Sequence, residues 1–139
     1  MNRRRSLFAA LLAGSIGGCT DDLCANQIVD RITDPRSDKI AYVFTRDCGA
    51  TTDTATNVAI GRKGDDPARA QIVFTADADH GSALQEENGA IWLRGSWTAP
   101  GTLSIAYAEH SRLFRAATSA MGATIRYRAS APLAPSPVP

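Results

Sequence analysis

Lys39-Ile40-Ala41-Tyr42-Val43-Phe44-Thr45-Arg46 is the stretch on which the fold turns. Successive side chains of an extended chain point to opposite faces. Ile40, Tyr42 and Phe44 therefore fall on one side, Ala41 and Val43 on the other. β-branched and aromatic residues suit a pleated surface, and apolar side chains on both faces predict a central strand covered twice. Further short runs of the same chemistry, separated by Gly, Asp and Pro, predict strands over 57–61, 70–75, 90–95, 102–107 and 123–128. In the fifth of the series Leu103, Ile105 and Tyr107 alternate with Ser104 and Ala106, and in the last Ile125 and Tyr127 oppose Arg126 and Arg128. Gly61-Arg62-Lys63-Gly64-Asp65-Asp66-Pro67 reads as a turn.

Upstream of the central strand, residues 21–32 read as a short helix. Asp21 and Asp22 suit a helix N-terminus, Leu23, Ile28 and Ile32 share one side, and Pro35 ends the segment. Residues 112–120 read as one or two helical turns. The expected fold is mainly β (α+β): an antiparallel meander of about six short strands, with a short N-terminal helix packed on it and stapled by a disulfide.

The first nineteen residues carry an address. Asn2-Arg3-Arg4-Arg5 is positive, residues 7–16 are apolar, and Ile16-Gly17-Gly18-Cys19 closes with small residues before a thiol. That order is the layout of a secretory signal peptide. The apolar run is about half the roughly 20 residues that span a bilayer. Its ending resembles a bacterial lipobox, which implies that Cys19 takes a diacylglyceryl group, with palmitate, and becomes the first mature residue. Arg4-Arg5-Ser6-Leu7-Phe8 leaves both Sec and twin-arginine export open. The expected organisation is a signal peptide over 1–18, one domain over 19–129, and a disordered tail over 130–139 that holds four of the seven prolines. Thr20 stands where an aspartate would, by the usual lipoprotein rule, retain the protein at the inner membrane. The expected location is thus the cell envelope, on the periplasmic face of the outer membrane in a Gram-negative cell.

The formal charge of +1 includes three signal-peptide arginines; without them twelve bases face fourteen acids, a formal −2. All fourteen acids lie within 21–110, whereas 111–139 hold Arg112, Arg115, Arg126 and Arg128 and no acid. Four arginines are too few for a nucleic-acid footprint, but a local basic face could meet anionic lipid or glycan. With Cys19 lipidated, Cys24 and Cys48 remain as an even pair in a disulfide-permissive compartment. A loop of that size, about 25 residues, would be worth roughly 3 kcal/mol. A zinc site would need two more ligands, and His80 and His110 are in no ligand spacing.

Val43-Phe44-Thr45-Arg46-Asp47-Cys48-Gly49-Ala50-Thr51-Thr52 resembles a block found in a family of small, uncharacterised bacterial envelope lipoproteins: Phe, then Arg-Asp-Cys-Gly-Ala-Thr-Thr, then an alternating strand. The strand is here Thr56-Asn57-Val58-Ala59-Ile60. Cys24, Asn26 and Ile28 match the upstream cysteine motif, Trp92 or Trp97 with Leu103-Ser104-Ile105-Ala106-Tyr107 matches a downstream one, and Ile125-Arg126-Tyr127 the closing one. The resemblance spans about residues 24–128 and implies that Cys24 pairs with Cys48, pinning the helix to the end of the first strand. It implies no activity. Asp34-Pro35-Arg36-Ser37-Asp38 departs from the family's Ser-Pro-Asp-Gly.

Catalytic and metal signatures fail on inspection. In Asp77-Ala78-Asp79-His80-Gly81, counting from Asp77 puts Gly81, Ser82 and Asn88 where a calcium loop needs an oxygen ligand, Gly and Glu. Glu86 and Glu87 are neighbours in a polar loop, and neither a serine elbow nor a phosphate-cradling loop occurs. No catalytic residue, metal or cofactor is expected. Candidate binding residues are Arg46 and Asp47, and a patch of Trp97 with Arg126 and Arg128; the competing reading of the Arg46-Asp47 block is a stapled, hydrogen-bonded corner. The function expected is a non-catalytic binding or structural module, held to the membrane by its lipid and docking an envelope protein or glycan. The alternatives are an inhibitor of an envelope-acting enzyme, or an envelope hydrolase, which would need a pocket gathering Asp47, Asp79, a histidine or Glu109.

Overall fold

The computed structural model describes residues 24–132, so Cys19, the expected lipobox and most of the proline-rich tail lie outside the described residues. Among the described residues nine strands run in order: β1 (Ala25–Thr33), β2 (Lys39–Asp47), β3 (Ala55–Arg62), β4 (Gln71–Asp77), β5 (Leu93–Ala99), β6 (Thr102–Ala108), β7 (Arg112–Ala116), β8 (Ser119–Ala120) and β9 (Ala123–Ser130). They form a five-stranded sheet, β1-β2-β3-β4-β7, and a four-stranded sheet, β5-β6-β9-β8. All pairs are antiparallel except β6 with β9.

The sheets share one core. Ala41, Val43, Val58, Ile60, Val73 and Phe74 from the first pack with Leu93, Trp97, Leu103, Ile105 and Ile125 from the second. The ring of Phe74 lies 5.3 Å from that of Tyr107 and 5.7 Å from that of Tyr127. Two tight turns explain the hairpins of the second sheet. Pro100-Gly101 joins β5 to β6, with Gly101 at φ +68° where a type II turn needs a left-handed residue. Met121-Gly122, with φ values of 51° and 75°, joins β8 to β9 in the sense that matches strand twist.

The β-rich reading and the disulfide hold, and the central strand is where it is expected. Cys24 and Cys48 are bonded, with Cα atoms 4.1 Å apart. The helix expected over 21–32 is not present among the described residues: Ala25–Thr33 is strand β1, paired along β2. Its register shifts between Ile28 and Asp30. That bulge places Ile28 and Val29 consecutively and returns Ile32 inward, and such spacing mimics a helical stripe in sequence. The single antiparallel meander is also corrected. The chain crosses between sheets at 78–92, after β6 and after β7, and residues 112–120 form β7 and β8 rather than helical turns. Among the described residues only Pro67–Arg69 is helical, as one 3₁₀ turn, capped by the Asp66 carboxylate accepting from the Ala68 N–H.

Candidate ligand groove on the five-stranded sheet

Because β2 is apolar on both faces, packing the core uses only half of it. Ala41 and Val43 face the second sheet; Tyr42, Phe44 and Arg46 face out and line a groove of about 420 Å³. The register assembles the rest. Asn26 stands opposite Arg46 and Ile28 opposite Phe44 on β1, Ala59 opposite Tyr42 on β3, and Ile72 opposite Ala59 on β4. Pro67, Ala68 and Ala70, from the segment around the 3₁₀ turn, form the far wall. The floor is apolar and partly open, with Ile72 38% exposed.

The polar groups gather toward one end. Arg46 makes no ion pair and no side-chain hydrogen bond with any described residue. Asn57, two residues from Ala59 and directly opposite Phe44, is 96% buried by its 4% exposure. Its Oδ1 accepts from Thr75 Oγ1 at 2.8 Å, while its buried Nδ2 has no partner among the described residues. Burying an unmatched amide donor costs about 1–3 kcal/mol. Asn57 does not line the groove; the lining at this end is Arg46 with Asn26 opposite, and no acid.

A second polar cluster lies at the same end of the sheet. Arg112 on β7 grips the buried Asp77 carboxylate at 2.6 and 3.2 Å, with Asp53 at 3.8 Å and Asp79 at 3.7 Å. Burial pushes the Asp77 carboxyl upward, but the Arg112 hydrogen bonds, the Asp79 N–H and nearby positive charge outweigh it and hold the group below the usual range. Asp77 and its neighbours raise Arg112 correspondingly. Asp53 also accepts the His80 backbone N–H at 2.7 Å, fixing Asp79 and His80 at positive φ of 45° and 56°. The cluster ties two loops to the edge strand. Its carboxylates are matched to an arginine, which suits architecture better than proton transfer.

The remaining sequence candidates are dispersed. Asp47 is exposed and accepts the Gly49 N–H at 2.9 Å, turning the chain after the disulfide. Glu109 stands in the turn after β6, apart from any such pairing. Trp97 is 9% exposed, inside the core, and its indole N–H donates to Ile32 O at 2.9 Å. Arg126 and Arg128 alternate outward from Ile125 and Tyr127, opposite Ser104 and Ala106 of β6. The tryptophan and the two arginines are thus on opposite faces of one sheet and form no common patch. Sequence reasoning missed Ile28 and Ile72 as groove residues. The signal was the doubly apolar β2, whose outer cover is a groove rather than a packed element.

Among the described residues, no three His, Cys, Asp or Glu side chains are close enough to hold a metal, and no helix is long and apolar enough to cross a membrane. Comparison with known proteins finds no matching family model, no matching curated protein and no matching solved structure.

Proposed function

We propose that this chain is an exported, lipid-anchored binding module of the cell envelope, akin to the small lipoproteins its Arg46–Thr52 block resembles, and that its ligand sits in the groove of the five-stranded sheet. The observation that supports this most is the combination of a mostly apolar floor with an unpaired arginine, and Asn26 opposite it, at one end. Pockets that bind small molecules have this composition: mostly apolar walls and a few convergent polar groups. A hydrolase reading has less support. None of the groove's lining residues is a Ser, Cys, His, Asp or Glu, and its one hydroxyl belongs to Tyr42. The outer face of the second sheet carries Arg94, Arg126 and Arg128 with Ser104 and Ala106.

The test is cross-linking and capture from envelopes with the native protein, an Ala68→Trp variant and an Arg126→Glu/Arg128→Glu variant. Ala68 is exposed on the groove wall, so a tryptophan there fills the space without entering the core. Loss of the captured component in Ala68→Trp alone is the expected result. Loss only in the arginine variant would move the site to the other sheet.

A further inference from the structure

Resting on the groove as the binding site, we infer that its ligand is a single aliphatic chain ending in a carboxylate, with the head at Arg46 and the chain running toward Ile72. Three features of the groove lead there. First, its polar end carries an uncompensated cation: the Arg46 guanidinium is unpaired among the described residues, the Asn26 amide stands opposite it, and no carboxylate lines the groove. A guanidinium fork matches a carboxylate in two parallel hydrogen bonds. One arginine carries one positive charge, which suits a monocarboxylate better than a doubly charged phosphate monoester.

Second, the groove lies on the face of a sheet and not at an edge. Backbone groups of β2 and β3 are already committed to the ladders on either side. A peptide laid here would leave its own N–H and C=O groups over Tyr42, Ala59 and Ile72 without partners, at a cost that an acyl chain avoids. Third, the dimensions fit. Arg46 and Tyr42 are four residue steps apart, about 13 Å at the usual rise, along a floor of Phe44, Ala59 and Ile72 in which the Tyr42 hydroxyl is the one polar group away from the head. The head end is also the end at which Cys24 and Cys48 are joined, five residues after Cys19. An anchor at Cys19 would hold the carboxylate site nearest the bilayer surface.

The experiment offers a photoreactive decanoate analogue to the full chain in lipid nanodiscs, maps the cross-links by mass spectrometry, and competes them with decanoate or decanol. Labelling on groove residues is expected, with decanoate competing about tenfold better than decanol, and Arg46→Gln removing that about tenfold advantage. Equal competition by acid and alcohol, or no effect of Arg46→Gln, overturns the carboxylate. Absence of groove labelling, while Ala68→Trp still loses its envelope component, overturns the aliphatic ligand and leaves the binding site standing. If Ala68→Trp changes neither labelling nor capture, the groove reading itself falls.

Discussion

Asp34 has no solvent contact, although it is charged. Burial works to raise its pKa, but the Gly101 N–H at 2.8 Å, the Ser37 hydroxyl at 2.6 Å, the Arg36 N–H at 3.0 Å and the Arg36 charge together hold it down to about 2. One carboxylate thereby fixes the β1–β2 turn to the β5–β6 turn of the other sheet. The folded value lies below the ordinary 3.8, so ionised Asp34 contributes stability that is complete above about pH 4 and is lost as the pH falls toward about 2. Asp34→Asn should therefore melt lower than the natural protein near neutrality. The gap should narrow steadily as acid protonates Asp34 in the natural chain. Melting curves across that range check it, and a gap independent of pH would mean that the charge of Asp34 contributes nothing.

At the scale of elements, the strand that most needs help is β1. It is an edge strand, bulged after Ile28, paired only with β2, and most of its side chains are exposed. The disulfide closes the open end of that hairpin, just beyond the Ala25–Asp47 pair. Replacing both cysteines by serine should cost about 3 kcal/mol in urea unfolding and should speed amide exchange in β1 before any other strand. Uniform acceleration over all nine strands would count against β1 as the weak element. The same bulge marks the limit of what the sequence makes legible. Runs that alternate cleanly, such as residues 39–46 and 102–107, are readable as strands because their faces are uniform. β1 breaks its own alternation, and Arg112-Leu113-Phe114-Arg115-Ala116 shows no buried face at all, all five residues being exposed. Neither segment carries a period that marks it as a strand. The parallel β6–β9 pairing is a non-local choice that no local pattern encodes. Of the site, Arg46 was readable from its block. Ile72 was not, because its place in the groove depends on the pairing of β4 with β3, opposite Ala59.

The molecule as a whole turns two unlike outer faces to its surroundings, and what lies between them must be rigid for either to bind. The first sheet shows the apolar groove, the second Arg94, Arg126 and Arg128 with Ser104 and Ala106. Between them the core is crossed by a few directed hydrogen bonds. The Tyr127 hydroxyl, from β9, lies 2.7 Å from Ala117 O and 3.1 Å from Val73 O, sharing its one hydrogen between them. Burial raises its phenol to about 12, so it remains a donor throughout the physiological range. Trp97 on β5 reaches Ile32 O on β1 in the same manner, at the opposite edge. These two bridges clamp the sheets at both sides of a core that either sheet alone would leave exposed. Unfolding should accordingly be a single transition. Tyr127→Phe keeps the ring beside Phe74 and removes only the donor, so stability should fall by about 1–2 kcal/mol with the urea m-value unchanged. Tryptophan fluorescence reports on the second sheet, since Trp97 is on β5 and Trp92 immediately precedes it, while amide exchange at Val58 and Ile60 reports on the first. Coincident midpoints for both probes, shifted together by Tyr127→Phe, are the expected result. Separate midpoints would mean that each sheet holds without the other, and the groove would then owe its shape to the five strands alone.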